Sequence, residues 1–125
     1  LSVEAKRMGP GQWEVYTDSG RERTRMDVVT WAKQAVDLGV GEILLTSVDQ
    51  DGTRRGFDLD LIAAIGPLVN VPVIASGGAG TPEDVASALE AGAEGVSLGS
   101  MLHFRVNTIG EIKKHLRSTG QVVVL

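Results

Sequence analysis

Two short loops concentrate the residues able to hold a phosphate. Ser76-Gly77-Gly78-Ala79-Gly80 stands directly before Thr81, and Leu98-Gly99-Ser100-Met101 repeats the arrangement one unit later. Glycine lets a backbone approach a ligand closely and adopt positive φ, so several N–H groups can converge on one point. A helix starting at Thr81 would add partial positive charge there, and Ser100 adds a hydroxyl donor. One such loop is as readily a plain connector between strand and helix. Two in neighbouring units favour a phosphate dianion held by Gly77, Gly78, Ala79, Gly99 and Ser100.

A second group is acidic. Asp49 and Asp51, followed by Gly52 and Thr53, are close carboxylates able to serve as acid, base or acceptor for sugar hydroxyls; an Asx-turn with solvated carboxylates fits the spacing equally well. With no His nearby, no metal site is expected. Glu4 and Lys6 lie two residues apart, so on a strand they share one face and both point into whatever mouth it lines; an exposed charged strand end is the alternative. Arg7 follows them. Met8 and Trp13 read as packing residues. His103 and His115 lack a Ser or Asp at useful spacing, which leaves a nucleophilic triad without support.

The elements that must position these groups alternate. Leu1 to Ala5 reads as a strand, and Trp13 to Thr17 as a β-prone excursion after Gly9-Pro10-Gly11. A helix is predicted from about Asp27 to Leu38, with Val28, Trp31, Ala32, Ala35 and Val36 on one stripe and Gly39 as its stop. A strand over Glu42–Val48 then leads through the acidic loop to a helix from about Asp58 to Leu68. Val71–Ala75 is the next strand, and Thr81 (N-cap), Pro82 (N1) and Asp84 (N3) open a helix that Gly92 closes. Gly95–Leu98 is the last strand, Gly99-Ser100 a turn, and Thr108 with Glu111 a capping-box start to a helix reaching about Ser118. Strands of successive apolar residues alternating with helices imply right-handed crossovers and a parallel sheet covered by helices. Four such units make a (βα)4 half of an eight-unit barrel of about 250 residues. The 125 residues are read as one domain.

Composition narrows the partners. A net charge of −4 gives no electrostatic reason to bind nucleic acid, and no stretch is apolar and long enough for a membrane span. The absence of Cys excludes disulfides and thiolate metal sites. Together with the lack of a signal-like N-terminal segment, it leads us to expect a cytoplasmic protein. The chain opens at Leu1 already inside a strand, as a cut through a larger fold would.

Several motifs together resemble the cyclase subunit of imidazole glycerol phosphate synthase, from histidine biosynthesis. They are Ala5-Lys6-Arg7, Ser19-Gly20, Gly41-Glu42-Ile43-Leu44-Leu45-Thr46-Ser47, Asp49-Gln50-Asp51-Gly52-Thr53, the Ala75–Gly80 run and His103-Phe104-Arg105. The resemblance covers the whole chain but only the C-terminal half of that enzyme. The phosphoribosyl isomerase of the same pathway shares the Ser-Gly-Gly and Asp-Gly-Thr elements but fits less well elsewhere. The resemblance implies a (βα)8 barrel acting on a bisphosphorylated ribulosyl aminoimidazole carboxamide, with ammonia supplied by a glutaminase subunit and no cofactor. It implies that Asp51, Gly52, Gly78, Gly99 and Ser100 surround one phosphate, that Ser19 and Thr46 touch substrate, and that Glu42 belongs to a charged ring gating ammonia at the barrel floor. Glu4 takes the position of a catalytic Asp, one methylene longer, with Asp51 supporting. The other catalytic Asp and the other phosphate site belong to the missing half. Arg25 replaces a Gly of the loop over the mouth, where it would obstruct the mouth or add a phosphate contact.

These readings lead us to expect a phosphate-binding half-barrel with little or no cyclase activity alone. Active cyclisation as a dimer or with the missing half, a designed or ancestral-type scaffold without ligand, and an isomerase-like half-barrel are the alternatives. Two open edges and inner Val, Ile and Leu side chains are expected to drive a two-fold homodimer, since several hundred Å2 at ~25 cal/mol per Å2 is worth many kcal/mol. In that dimer two Glu42 residues face each other without the family's cationic partners, so neither an intact ammonia path nor a glutaminase partner is expected.

Overall fold

The computed structural model describes residues 1–124. Alternation drives its first strand, β1 (Ser2–Gly9), in which Val3 and Ala5 are buried while Ser2 and Glu4 face the other side. Pro10-Gly11, with Gly11 at φ 68°, turns the chain into β2 (Gln12–Thr17), which pairs antiparallel with β1. β3 (Glu22–Asp27) pairs antiparallel with β2 in turn. Asp27 then caps α1 (Val28–Asp37), its carboxylate accepting from Thr30 N. The parallel part follows as β4 (Ile43–Ser47), α2 (Leu59–Ile65, continued by a 3-10 turn at Gly66–Leu68), β5 (Val73–Ser76), α3 (Pro82–Ala91), β6 (Gly95–Ser97), the short α4 (Ser100–His103) and α5 (Ile109–Ser118). Strand order is β3-β2-β1-β4-β5-β6, with β1, β4, β5 and β6 parallel.

The capping signals act as read. Thr81 and Asp84 form a complete capping box on α3, and Thr108 and Glu111 form another on α5. Helices cover one face of the sheet. Val3, Ala5, Ile43, Leu45 and Val73 pack there against Val28, Ala32, Leu61 and Ile65. A second cluster joins Ala75, Val85, Ala88, Met101, Ile112 and Leu116.

The opposite face corrects an expectation. Register aligns Ser2, Leu44, Ile74 and Gly95 in one layer and Glu4, Thr46, Ser76 and Ser97 in the next. Only Leu44 and Ile74 of these are large and apolar, and both are half-buried. The inner face is therefore mostly polar, because the Val, Ile and Leu positions of the other parity point to the helices. The open edges are corrected too. β2 covers β1 over Glu4–Gly9, so two parallel edges are not fully bare; β6 remains unpaired on one side, as do Ser2 and Val3 on the side away from β4. Trp13 is buried as expected, but Met8 is 47% exposed on the hairpin and packs into no core.

Candidate functional site

The polar layer Glu4–Thr46–Ser76–Ser97 leads straight to the carboxyl ends of the four parallel strands, where two cavities adjoin. The first, about 170 Å3, is lined by Asp51, Gly52, Arg54, the Ser76–Ala79 loop and the Ser97–Ser100 loop. The second, about 210 Å3, is lined by Glu4, Ser19, Thr46, Val48 and Asp51. Asp51 belongs to both, so the two form one continuous rim with that carboxylate between them. Gly77, Gly78, Ala79, Gly99, Ser100 and Gly52 thus gather in one cavity, and Glu4, Ser19 and Thr46 in the other.

Backbone packing explains the glycines. A Cβ at Gly78 (φ 113°) would overlap the carbonyl of Gly56, and one at Gly80 the carbonyl of Arg54. The loop after β4 and the loop after β5 are thus interlocked backbone to backbone, tied further by Gly56 N donating to Gly78 O at 2.8 Å. Gly99 differs. Its φ is −123° and a Cβ there would meet nothing within 4 Å, so this glycine leaves room and serves no clash.

The donors toward an anion are narrower than the sequence suggested. Asp84 Oδ2 accepts from both Gly80 N and Thr81 N at 2.9 Å, which spends the helix-start donors on the cap itself. Among the described residues, the N–H groups of Gly77, Gly78, Ala79 and Gly99 donate to no protein acceptor. The first cavity is lined by these four, by the hydroxyls of Ser76, Ser97 and Ser100, and by Arg54.

Asp49 and Asp51 separate in role. Asp49 ion-pairs with Lys6 and accepts from Arg7 N at 2.7 Å. Burial alone would raise its pKa, but the Lys6 ammonium and the Arg7 N–H outweigh that and hold it below the usual carboxylate range. Asp49 is thus structural, and Lys6 is occupied with it instead of standing free in the mouth. Glu4 does face the site, with Oε2 accepting from Gly20 N at 3.0 Å. That bond fixes the β2–β3 turn, whose Asp18, Ser19 and Gly20 all have positive φ, and brings Ser19 to the cavity. Arg7 points to the opposite face. Its guanidinium meets Asp58 at 2.5 Å and lies over the Trp13 ring, while Trp13 Nε1 donates to Asp58 Oδ2 at 2.9 Å. Asp58 is buried and also caps α2 through Leu61 N. The hydrogen bond to Asp58 raises the Arg7 pKa above its ordinary value.

Glu42 is exposed just before β4, at the end of the strand away from the two cavities, the end that a barrel-floor position requires. One expectation is relocated. Arg25, at φ 62°, lines a hollow of the hairpin with Met8, Trp13, Glu14 and Met26, and reaches neither cavity of the rim. Gly99-Ser100 is not a plain turn, because Ser100 already starts α4. Sequence reasoning missed Arg54 and Ser97 as cavity residues and took Ser76 only as the start of its glycine-rich loop. The period of two along β5 and β6 could have found both serine side chains, and the charge following Asp51-Gly52-Thr53 could have found Arg54. Among the described residues no cluster of three metal-ligating side chains occurs, and no helix is long and apolar enough to cross a membrane.

Residues 1–108 match a family described as histidine biosynthesis protein. The chain is 51% identical over 123 residues to "Imidazole glycerol phosphate synthase subunit HisF" of Streptomyces coelicolor, covering 98% of this chain and 49% of that protein. It is likewise 51% identical over 129 residues to the protein of the same name in Mycobacterium tuberculosis, covering 98% and 48%. The chain spans about half the length of these curated relatives, and its architecture is the (βα)4 half of a TIM barrel. The match over residues 1–108, with relatives 51% identical along 98% of the chain, establishes that it belongs to the histidine biosynthesis protein family.

Proposed function

We propose that the chain is the C-terminal half-barrel of an imidazole glycerol phosphate synthase cyclase, holding a phosphate or sugar phosphate at its strand ends and turning over little or nothing alone. The observation that carries this reading is Asp51, which separates a cavity of free backbone N–H groups from one holding Glu4, Thr46 and Ser19. A phosphate in the first would set the rest of a sugar phosphate against the carboxylate of Glu4 in the second. Glu4 is the candidate base, but its extra methylene and its bond to Gly20 N hold it away from an Asp's position, and small misplacements cost about 10²-fold. The test is ammonia-dependent turnover of the bisphosphate substrate by this chain, with and without a separately expressed N-terminal half. Glu4 is the same in both arms, so the difference reads what the missing half supplies. Without the catalytic group and phosphate site carried there, the chain alone should fall at least ~10²-fold below the mixture. Equal turnover in both would refute the half-site reading.

We propose also that, alone in solution, the chain closes its barrel by two-fold pairing with a second copy. The support is the unpaired β6 edge and, beside it, an apolar groove of about 300 Å3 lined by Val85, Val96, Leu98, Leu102, Ile112 and Leu116. Unpaired strand edges and contiguous apolar hollows of this kind favour covering by another chain.

A further inference from the structure

We propose that Arg54 is the specificity residue of the phosphate cavity, its guanidinium offsetting the Asp51 carboxylate so that a dianion can enter. The proposal rests on the phosphate-site reading above and adds the residue that would make the site electrostatically workable. The starting point is a conflict of charge. Asp51 stands in the wall of the cavity, and a carboxylate there repels the very dianion that the free N–H groups attract. Arg54 is the one cationic side chain among the residues lining that cavity.

Four further observations single it out. Arg54 has φ 54°, a left-handed backbone that Asn or Gly would adopt more cheaply than Arg. Its carbonyl is wedged against Gly80, so the backbone beneath the side chain is fixed by the interlocked loops. Its guanidinium lies 5.1 Å from the centroid of the Phe104 ring, and Phe104, directly after α4, is itself 61% exposed. Among the described residues Arg54 forms no ion pair. The strained position therefore sets a cation between the loop after β4 and the segment after β6, beside a cavity that Asp51 also lines, and a ring instead of a carboxylate holds it. A cation resting on an aromatic face keeps its charge and its donors available, whereas an ion pair would cancel both. An Arg also presents a planar fork that matches two phosphate oxygens.

The experiment is calorimetric titration of the chain with inorganic phosphate at pH 7.5 for the unaltered protein, Arg54→Gln, Arg54→Lys, Asp51→Asn and the Arg54→Gln/Asp51→Asn double variant. Arg54→Gln should weaken phosphate about tenfold, which is the ~1.4 kcal/mol typical of one charge-assisted contact. Arg54→Lys should fall between the unaltered chain and Arg54→Gln, keeping the charge but losing the planar fork, and Asp51→Asn should recover affinity in the Arg54→Gln background. Circular dichroism should be unchanged in all, since neither side chain packs in the core. Equal affinity in Arg54→Gln and the unaltered chain, or Arg54→Lys as weak as Arg54→Gln, would overturn the assignment while leaving the phosphate site intact. No binding by the unaltered chain would overturn the phosphate site and this inference together.

Discussion

Gly99 and Gly78 line the same cavity, yet they offer different experiments. Gly78 is locked against the Gly56 carbonyl, so a side chain there forces the loops apart and its effect on a ligand cannot be separated from its effect on folding. Gly99 meets nothing within 4 Å, and Gly99→Asp should abolish phosphate binding by bulk and repulsion while changing stability by less than about 0.5 kcal/mol. Calorimetry paired with urea denaturation checks both halves of that statement. Ser100→Ala should weaken binding only modestly, because most donors are backbone N–H groups. At Glu4, Glu4→Asp restores the family's side-chain length but gives up the bond to Gly20 N, so a gain in turnover should come with a looser β2–β3 turn. Turnover that survives Glu4→Gln would show that this carboxylate is not the base. That these residues gather at one rim was legible in the sequence because two glycine-rich runs and an Asp-Gly-Thr motif each follow a strand, and the ends of neighbouring parallel strands lie side by side. What sequence could not show was which of Asp49 and Asp51 faces the ligand, since that depends on Lys6 and Arg7, more than forty residues away, claiming Asp49.

At the scale of elements, the β1–β2 hairpin is pinned to the start of α2 by one buried carboxylate. Asp58 accepts from Arg7, from Trp13 Nε1 and from Leu61 N, joining hairpin, helix cap and core. Asp58→Ala should cost about 3 kcal/mol, the sum of a lost N-cap and a buried indole N–H left unpaired, read as a lower denaturation midpoint. The Asp49 pair gives the hairpin a pH dependence. Because its folded pKa is depressed, it contributes stability above the unfolded carboxylate value near 3.8 and loses it as pH falls through the lower folded value. Asp49→Asn should therefore flatten the stability profile below about pH 4, measured by thermal denaturation across pH. The parallel strands and the helices other than α4 were readable from apolar periodicity and caps, with ends shifted by a residue or two except that β1 runs on to Gly9 and α2 gives way to a 3-10 turn at Gly66. β3 was not, because Glu22-Arg23-Thr24-Arg25-Met26-Asp27 carries almost no apolar signal. It is held by pairing with β2 and by Arg23 on Glu14, whose hydrogen bond lowers the Glu14 pKa. Such an edge strand owes its structure to its neighbour and not to its own composition.

For the whole molecule, the largest departure from expectation is the inner face of the sheet. Its layers are polar toward the carboxyl ends and hold only Leu44 and Ile74 as large apolar groups. Barrel closure by a second copy therefore draws on the β6 edge and its apolar groove more than on the lumen. Ultracentrifugation of this chain at micromolar concentration should find a dimer, and a well-folded monomer would refute the pairing. The central claim, that the carboxyl ends of β4, β5 and β6 form a phosphate site built from backbone, is tested most directly by amide-resolved nuclear magnetic resonance during titration with inorganic phosphate. The amide signals of Gly77, Gly78, Ala79 and Gly99 should shift together along one binding isotherm, with Gly80 and Thr81, already bonded to Asp84, moving much less. Shifts concentrated at another part of the chain, or none at millimolar phosphate, would contradict it.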